Sequence, residues 1–179
     1  MTESIRNPKR RSLLLAGLVL LQTLVLIGIA MSFYAVSWFG QEIRVKTVPV
    51  DPRDLLYGDY VTLSYDISSL DTRLWKEAGS TPERGEPIYV VLKPGTDGLA
   101  EAIGAYRNKP ALQPGEIAMR GSVNYNALDS IRVKYGVEKY YVPEGTGKSL
   151  EEKADRLIVR MKVAPWGQAK IEQLEDRVQ

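Results

Sequence analysis

Three aspartates precede the clearest strand pattern of the sequence and are the first candidates for chemistry. Asp51, Asp54 and Asp59 fall within nine residues, and carboxylate oxygens are the ligands that calcium prefers. Calcium-binding loops use a D-x-D-x-D-G spacing, which this segment lacks. Asp51 before Pro52 suits a helix N-cap, and Asp59 suits a turn. We therefore expect capping and turn roles for these carboxylates, with no bound metal and no cofactor.

A second set of carboxylates offers an enzymatic alternative. Asp59, Glu138 and Glu144 would serve an envelope hydrolase of peptide or glycan if two of them faced each other across a cleft. The chain contains no histidine and no cysteine, which excludes imidazole and thiolate chemistry. No catalytic residue can be assigned from the sequence, and a protein without enzymatic activity is favoured.

Tyrosines form the third group of candidates. The segment with Tyr135, Tyr140 and Tyr141 alternates these rings with charged residues. Exposed rings there would stack on sugars or on a partner peptide. The favoured interpretation is a barrel wall in which each tyrosine packs its ring and leaves its hydroxyl in water.

The element that must position these residues begins with an apolar run. No residue from Ser12 to Gln41 is charged, and Leu13 to Trp38 as an α-helix would extend ~39 Å, compared with a hydrocarbon core of roughly 30 Å. The run ends in aromatic residues at 33–39, which suit the water–lipid boundary. It is also longer than the apolar core of a signal peptide, about 7–15 residues. The sequence therefore predicts an uncleaved transmembrane helix at 12–40.

Charge around this helix predicts its orientation. Arg6, Lys9, Arg10 and Arg11 crowd into the tail at 1–11, which should stay in the cytoplasm. Residues 41–179 should then form a periplasmic or extracellular domain on a cytoplasmic membrane, in contact with the lipid bilayer. The remaining basic residues are interleaved with acidic ones, so no nucleic-acid partner is expected.

Beyond the helix, the pattern changes to the alternation of half-buried strands. We expect a mainly β domain, a small barrel or sandwich, with one or two short helices at 51–58 and 148–156. Strands are predicted at 43–47, 60–67, 88–93, 116–123, 130–133, 137–142, 157–163 and 169–175. The last two should form a hairpin around Ala164-Pro165-Trp166-Gly167-Gln168.

One eight-residue segment carries a resemblance to a known family. The chain reads Gly58-Asp59-Tyr60-Val61-Thr62-Leu63-Ser64-Tyr65, and in this it resembles the GDYXXLXY family of bacterial membrane-anchored proteins over about residues 49–164. The matched motif positions are Gly58, Asp59, Tyr60, Leu63 and Tyr65. A second segment is similar to the family at Tyr135, Gly136, Tyr140, Tyr141, Pro143, Glu144 and Gly145.

The resemblance implies no particular reaction. Because family members are often encoded beside polytopic membrane proteins, it implies a polytopic membrane protein as partner. We expect a bitopic envelope protein whose exported domain binds or supports that partner, through the transmembrane helix and the Asp51–Tyr65 region. The hydrolase and a small-ligand sensor with an apolar cavity are the alternatives, and the oligomeric state remains open.

Overall fold

The computed structural model describes residues 8–49, 60–77, 79–127, 129–142 and 156–176, which form one long helix and eleven strands. The helix α1 comprises Pro8–Phe39. The strands are β1 (Gln41–Val48), β2 (Tyr60–Thr62), β3 (Ser64–Tyr65), β4 (Ser69–Asp71), β5 (Pro87–Pro94), β6 (Ala100–Tyr106), β7 (Ile117–Asn126), β8 (Ser130–Lys134), β9 (Lys139–Tyr141), β10 (Leu157–Val163) and β11 (Ala169–Asp176). Short 3-10 turns follow β3 at Asp66–Ser68 and β4 at Thr72–Leu74.

Beyond its basic first turn, helix α1 is apolar on all sides, and its leucines, isoleucines and valines before Val36 are exposed. The segment Lys9–Phe39 is long and apolar enough to cross a membrane. In its most apolar window of 18 residues, no residue is buried by the rest of the described chain. A helix with no polar stripe and no protein cover is typical of a membrane span. The predicted helix is therefore present; it begins at Pro8, within the range predicted for the basic tail, and ends just before β1.

The strands form a mainly β, barrel-like domain, as predicted. One sheet has the order β11-β10-β1-β3, another has the order β4-β8-β7-β5-β6, and β2 pairs with β9. β1 follows α1 almost directly and runs antiparallel to β10, with Gln41 opposite Val163. The predicted terminal hairpin is confirmed by the antiparallel pair β10–β11.

The core lies between these sheets and is built by alternating residues. Ile43, Val45 and Thr47 of β1 point inward, and all three are buried. The buried hydroxyl of Thr47 donates to Leu157 O at 2.8 Å and accepts from Leu157 N at 2.9 Å. This polar side chain therefore joins β1 to β10 without an unsatisfied group.

The prediction of one continuous strand at 60–67 is wrong, although the residues predicted to point inward do so. Val61, Leu63, Tyr65 and Ile67 are all buried. The chain nevertheless changes partners at Leu63: β2 pairs with β9, whereas β3 pairs with β1. Such a switch is how a strand turns the corner between two sheets.

Two strands were missed and one is shorter than predicted. β4 and β6 have no strong alternating pattern, and β6 contains alanine and glycine, which are poor strand formers. The strand predicted at 137–142 is reduced to β9. The helical turn predicted at 51–58 lies outside the described residues, as does the helix predicted at 148–156 apart from Arg156.

Candidate functional site

The two family-like segments, distant in sequence, meet in space. β2 and β9 pair antiparallel, with Tyr60 opposite Tyr141 and Thr62 opposite Lys139. We call this unit, formed by residues 60–65 and residues 135–141, the motif junction. The structure thus brings together seven of the predicted site residues: Tyr60, Leu63, Tyr65, Tyr135, Gly136, Tyr140 and Tyr141.

Two buried tyrosines stabilise the junction, because each donates a hydrogen bond to a backbone carbonyl that is distant in sequence. Tyr65 donates its hydroxyl to Val137 O at 2.5 Å, 72 positions away. Tyr135 donates its hydroxyl to Ile67 O at 2.6 Å. Leu63 N donates to Glu138 O at 2.7 Å. Each segment therefore satisfies backbone groups of the other, which makes the pairing specific.

Tyr135 does not leave its hydroxyl in water, as the predicted barrel wall would require. Its side chain is only 7% exposed, and its hydroxyl is bonded inside the protein. Burial is the main cause that raises the pKa of both Tyr65 and Tyr135, and the negative charge of Glu138 adds to it. Both phenols are consequently neutral donors at physiological pH.

Glu138, one of the candidate hydrolase carboxylates, closes the turn before β9. Its two carboxylate oxygens accept from Tyr135 N at 2.5 Å and from Gly136 N at 2.9 Å. Gly136 has a φ of +80°, a conformation that glycine adopts readily. The carboxylate is thus engaged with backbone donors of its own turn, a capping role.

The outer face of the junction carries aromatic rings and a cation. The rings of Tyr60 and Tyr141 lie 6.0 Å apart at 60°, and Lys139 Nζ lies 4.4 Å from the centroid of the Tyr60 ring. Tyr141 is 72% exposed. This arrangement can bind a ring, an apolar side chain or an anionic group by stacking and cation–π contact.

An open groove of about 730 Å³ adjoins this face. Its walls combine hydroxyl and basic side chains, including Thr62, Ser64, Arg132 and Lys139. Ser68 also lines the groove, and its Oγ is buried without a hydrogen-bond partner. The groove therefore offers hydrogen-bond donors and positive charge beside the exposed tyrosines.

The other end of the junction approaches the last turns of α1. Val36 is 1% exposed and lines a groove with Val137 and Tyr140. Two lysines of the β10–β11 hairpin bind the same helix end: Lys162 Nζ donates to Ser37 O and Lys170 Nζ to Ser37 Oγ, both at 2.8 Å. Cations at a helix C-terminus are favourable because free carbonyls and the helix dipole meet there.

Gly40 joins the helix to the first strand without a linker. A Cβ at this position would lie 2.3 Å from Val36 O and 2.9 Å from the Cβ of Lys162. A larger residue would force the helix end or β10 to shift. The domain is thereby seated directly on the end of α1.

The remaining predicted site residues lie outside the described part of the chain. These are Asp51, Asp54, Gly58, Asp59, Pro143, Glu144 and Gly145, and their turn, capping or ligand roles stay predictions. Sequence reasoning missed the helix-docking residues Ser37, Gly40, Lys162 and Lys170. A lone glycine between an apolar helix and an alternating strand was the one available signal for them.

The fold and the junction define a class: proteins with one helix able to span a membrane, followed by a barrel-like β domain. A family model described as GDYXXLXY protein matches residues 22–174. The chain therefore belongs to the GDYXXLXY family, as its motif predicted. No curated protein and no solved structure matches it.

Proposed function

We propose that this chain is a bitopic, non-enzymatic envelope protein whose exported β domain binds or supports a polytopic membrane protein. The N-terminal tail is cytoplasmic, and the β domain lies on the outer face of the cytoplasmic membrane. Its partner surface combines the lipid-facing side of α1 with the outer face of the motif junction.

The observation that carries this proposal is the docking of the domain on α1. Val36, Ser37 and Gly40 are all held against the β10–β11 hairpin or the junction. A partner that lies in the same membrane can therefore contact the helix and the β domain at once. A domain on a long tether would not offer such a combined surface.

The chemistry of the junction supports a protein partner. Tyrosine is enriched at protein interfaces because it brings a large ring and a polar end at little conformational cost. Tyr60 and Tyr141 form such a pair, with Lys139 beside them. The engagement of Glu138 with its own turn favours this proposal over a hydrolase that would need a free carboxylate.

The test is affinity purification of the full chain from membranes in mild detergent. The unmodified protein should recover a polytopic membrane protein in stoichiometric amount. The double variant Tyr60→Ser with Tyr141→Ser should lose at least about 90% of it, since interface aromatics contribute about 2 kcal/mol or more each. Ile103→Ser removes an exposed apolar side chain on β6 and should leave recovery unchanged.

Recovery of no polytopic protein, or equal recovery with both variants, would contradict the proposal. Topology has its own test. A reporter that is active only outside the cytoplasm, fused after Gln179, should be active. An inactive reporter would reverse the proposed orientation.

A further inference from the structure

A second groove lies where the helix meets the β domain, and its position limits what can occupy it. It has a volume of about 460 Å³ and runs between the last turns of α1 and the strands β9 and β11. Its described lining includes Val36, Val137, Lys139, Gln168, Lys170 and Ile171.

The groove lies at the depth of lipid headgroups if α1 spans the membrane. About 20 helical residues cross the hydrocarbon core, and counted from Ser12 they end near Met31. Val36 is then roughly 8 Å further along the axis, within the headgroup layer. Tyr34 and Trp38 stack on each other at the same depth and are exposed, as in an interfacial aromatic belt.

The lining suits an amphipathic anion. Lys139 and Lys170 are the basic residues of its lining, and none of the described lining residues is acidic. Lys139 Nζ lies 4.4 Å from the centroid of the Tyr60 ring, at the edge that the groove shares with the outer face of the junction. Lys170 Nζ is held by Ser37 Oγ, which fixes its position at the helix end. Val36 of α1, Val137 of the junction and Ile171 of β11 supply its apolar surface. A phosphate group with an attached hydrocarbon chain matches this pairing of charge and apolar surface.

We infer that this groove binds an anionic phospholipid, with its phosphate between Lys139 and Lys170 and an acyl chain along α1. The inference rests on the membrane anchoring proposed above. It adds a defined lipid site to that proposal, at the contact between the anchor and the family-specific segment. Lipid bound there would stabilise the seating of the domain on its helix.

Native mass spectrometry of the full chain, released from vesicles of phosphatidylcholine with added phosphatidylglycerol, tests this inference. The unmodified protein should retain one phosphatidylglycerol in preference to phosphatidylcholine. Lys139→Gln should weaken its retention about fivefold, the effect of removing one lysine near an anionic lipid. Gln168→Glu adds a negative charge to the groove and should weaken retention at least as much.

Matched controls lie elsewhere on the same domain. Lys93 and Gln173 are exposed and do not line the groove, so Lys93→Gln and Gln173→Glu should leave retention unchanged. Equal effects of the groove and control variants would overturn the inference, as would equal retention of the two lipids. Inorganic phosphate should not displace the lipid, and displacement by it would overturn the assignment to a lipid.

The failure of the anchoring itself would be visible separately. Alkaline carbonate extraction of the same vesicles should leave the protein in the pellet. A protein that pellets but shows no lipid preference refutes only the lipid site, whereas a protein that is released refutes the anchoring.

Discussion

Helix α1 and the motif junction are specified by the sequence in opposite ways. The helix is uniform: its leucines, isoleucines and valines before Val36 are all uncovered by protein, and any similarly apolar run would serve. The junction depends on individual positions, because Tyr65 and Tyr135 each bond a particular carbonyl across it. Composition therefore determines the structure of the helix, and contacts between residues distant in sequence determine the structure of the junction.

This difference predicts opposite sensitivities to substitution. The helix should tolerate apolar exchanges and fail with charge, since lipid accepts any apolar side chain but not an ion. The junction should respond to the loss of a few atoms, since protein interiors are close-packed. Four experiments, from the largest expected effect to the smallest, separate the two regions.

The largest effect is expected from charge in the helix. Leu20→Asp with Leu24→Asp should raise the free energy of membrane insertion by about 6 kcal/mol, near 3 kcal/mol for each aspartate at mid-span. The protein should then appear in the supernatant after alkaline carbonate extraction. Ile103→Asp with Leu112→Asp, two exposed positions of the β domain, should stay in the pellet.

Truncation of a buried motif residue should come next. Leu63 is 1% exposed, and Leu63→Ala should lower the free energy of unfolding by about 3 kcal/mol through lost burial and a cavity. Denaturant unfolding of the full chain in nanodiscs measures this change. The control is Thr62→Ala at the exposed neighbouring position, which should change the free energy of unfolding by less than about 0.5 kcal/mol. A similar loss in the two variants would contradict the assignment of Leu63 to the core.

A methyl group at the helix–strand joint tests the contact between the two regions. Gly40→Ala places a Cβ against Val36 O and Lys162, and we expect a loss of about 1–3 kcal/mol from the shift it forces. Gly28→Ala is the matched control, because a Cβ there meets no atom within 4 Å apart from the neighbouring backbone of its own helix. Thermal unfolding in nanodiscs compares them, and equal melting temperatures would contradict the tight seating.

The smallest effect is expected from one phenol, and it carries a pH signature. Tyr135→Phe leaves Ile67 O without its donor, which should cost about 1–2 kcal/mol at neutral pH. Burial, followed by the negative charges of Glu138 and Asp66, raises the pKa of Tyr135 in the folded state. Since an unfolded tyrosine ionises at about pH 10, its contribution is present below that pH and is lost as the pH rises further.

The variant Tyr135→Phe should therefore lose stability less steeply above about pH 10 than the unmodified protein. Tyr141→Phe, at an exposed position, should change neither the neutral stability nor the alkaline slope. Unfolding curves at a series of pH values measure both. Parallel slopes for all three proteins would show that Tyr135 does not couple folding to its proton.

The helix, most strands and the inward-facing motif residues could be predicted because each depends on local pattern. Period-two alternation located β1, β10 and β11, and it identified Leu63 and Tyr65 as core. The break at Leu63 could not be seen, since it arises from the carbonyl of Glu138, far along the chain. The strand β6 was missed for the opposite reason: its alanines and glycine carry little local signal.

The site was predicted as two separate segments, and only the fold joins them. Nothing local indicates that the hydroxyls of Tyr65 and Tyr135 cross between strands, because each acceptor is a backbone carbonyl that any residue could supply. The hydrogen bonds from Lys162 and Lys170 to Ser37 were hidden in the same way. Lysines on an alternating strand are ordinarily solvated, and only the fold brings Ser37 within hydrogen-bond distance of both.

Because the β domain is seated directly on the end of α1 at Gly40, rotation of the helix is transmitted to the domain. With no slack between helix and strand, a turn of the helix about its axis must carry the β domain through the same angle. Inserting one residue into the last turn of α1 would swing the domain by about 100°, presenting a different flank to any neighbour embedded in the same lipid layer.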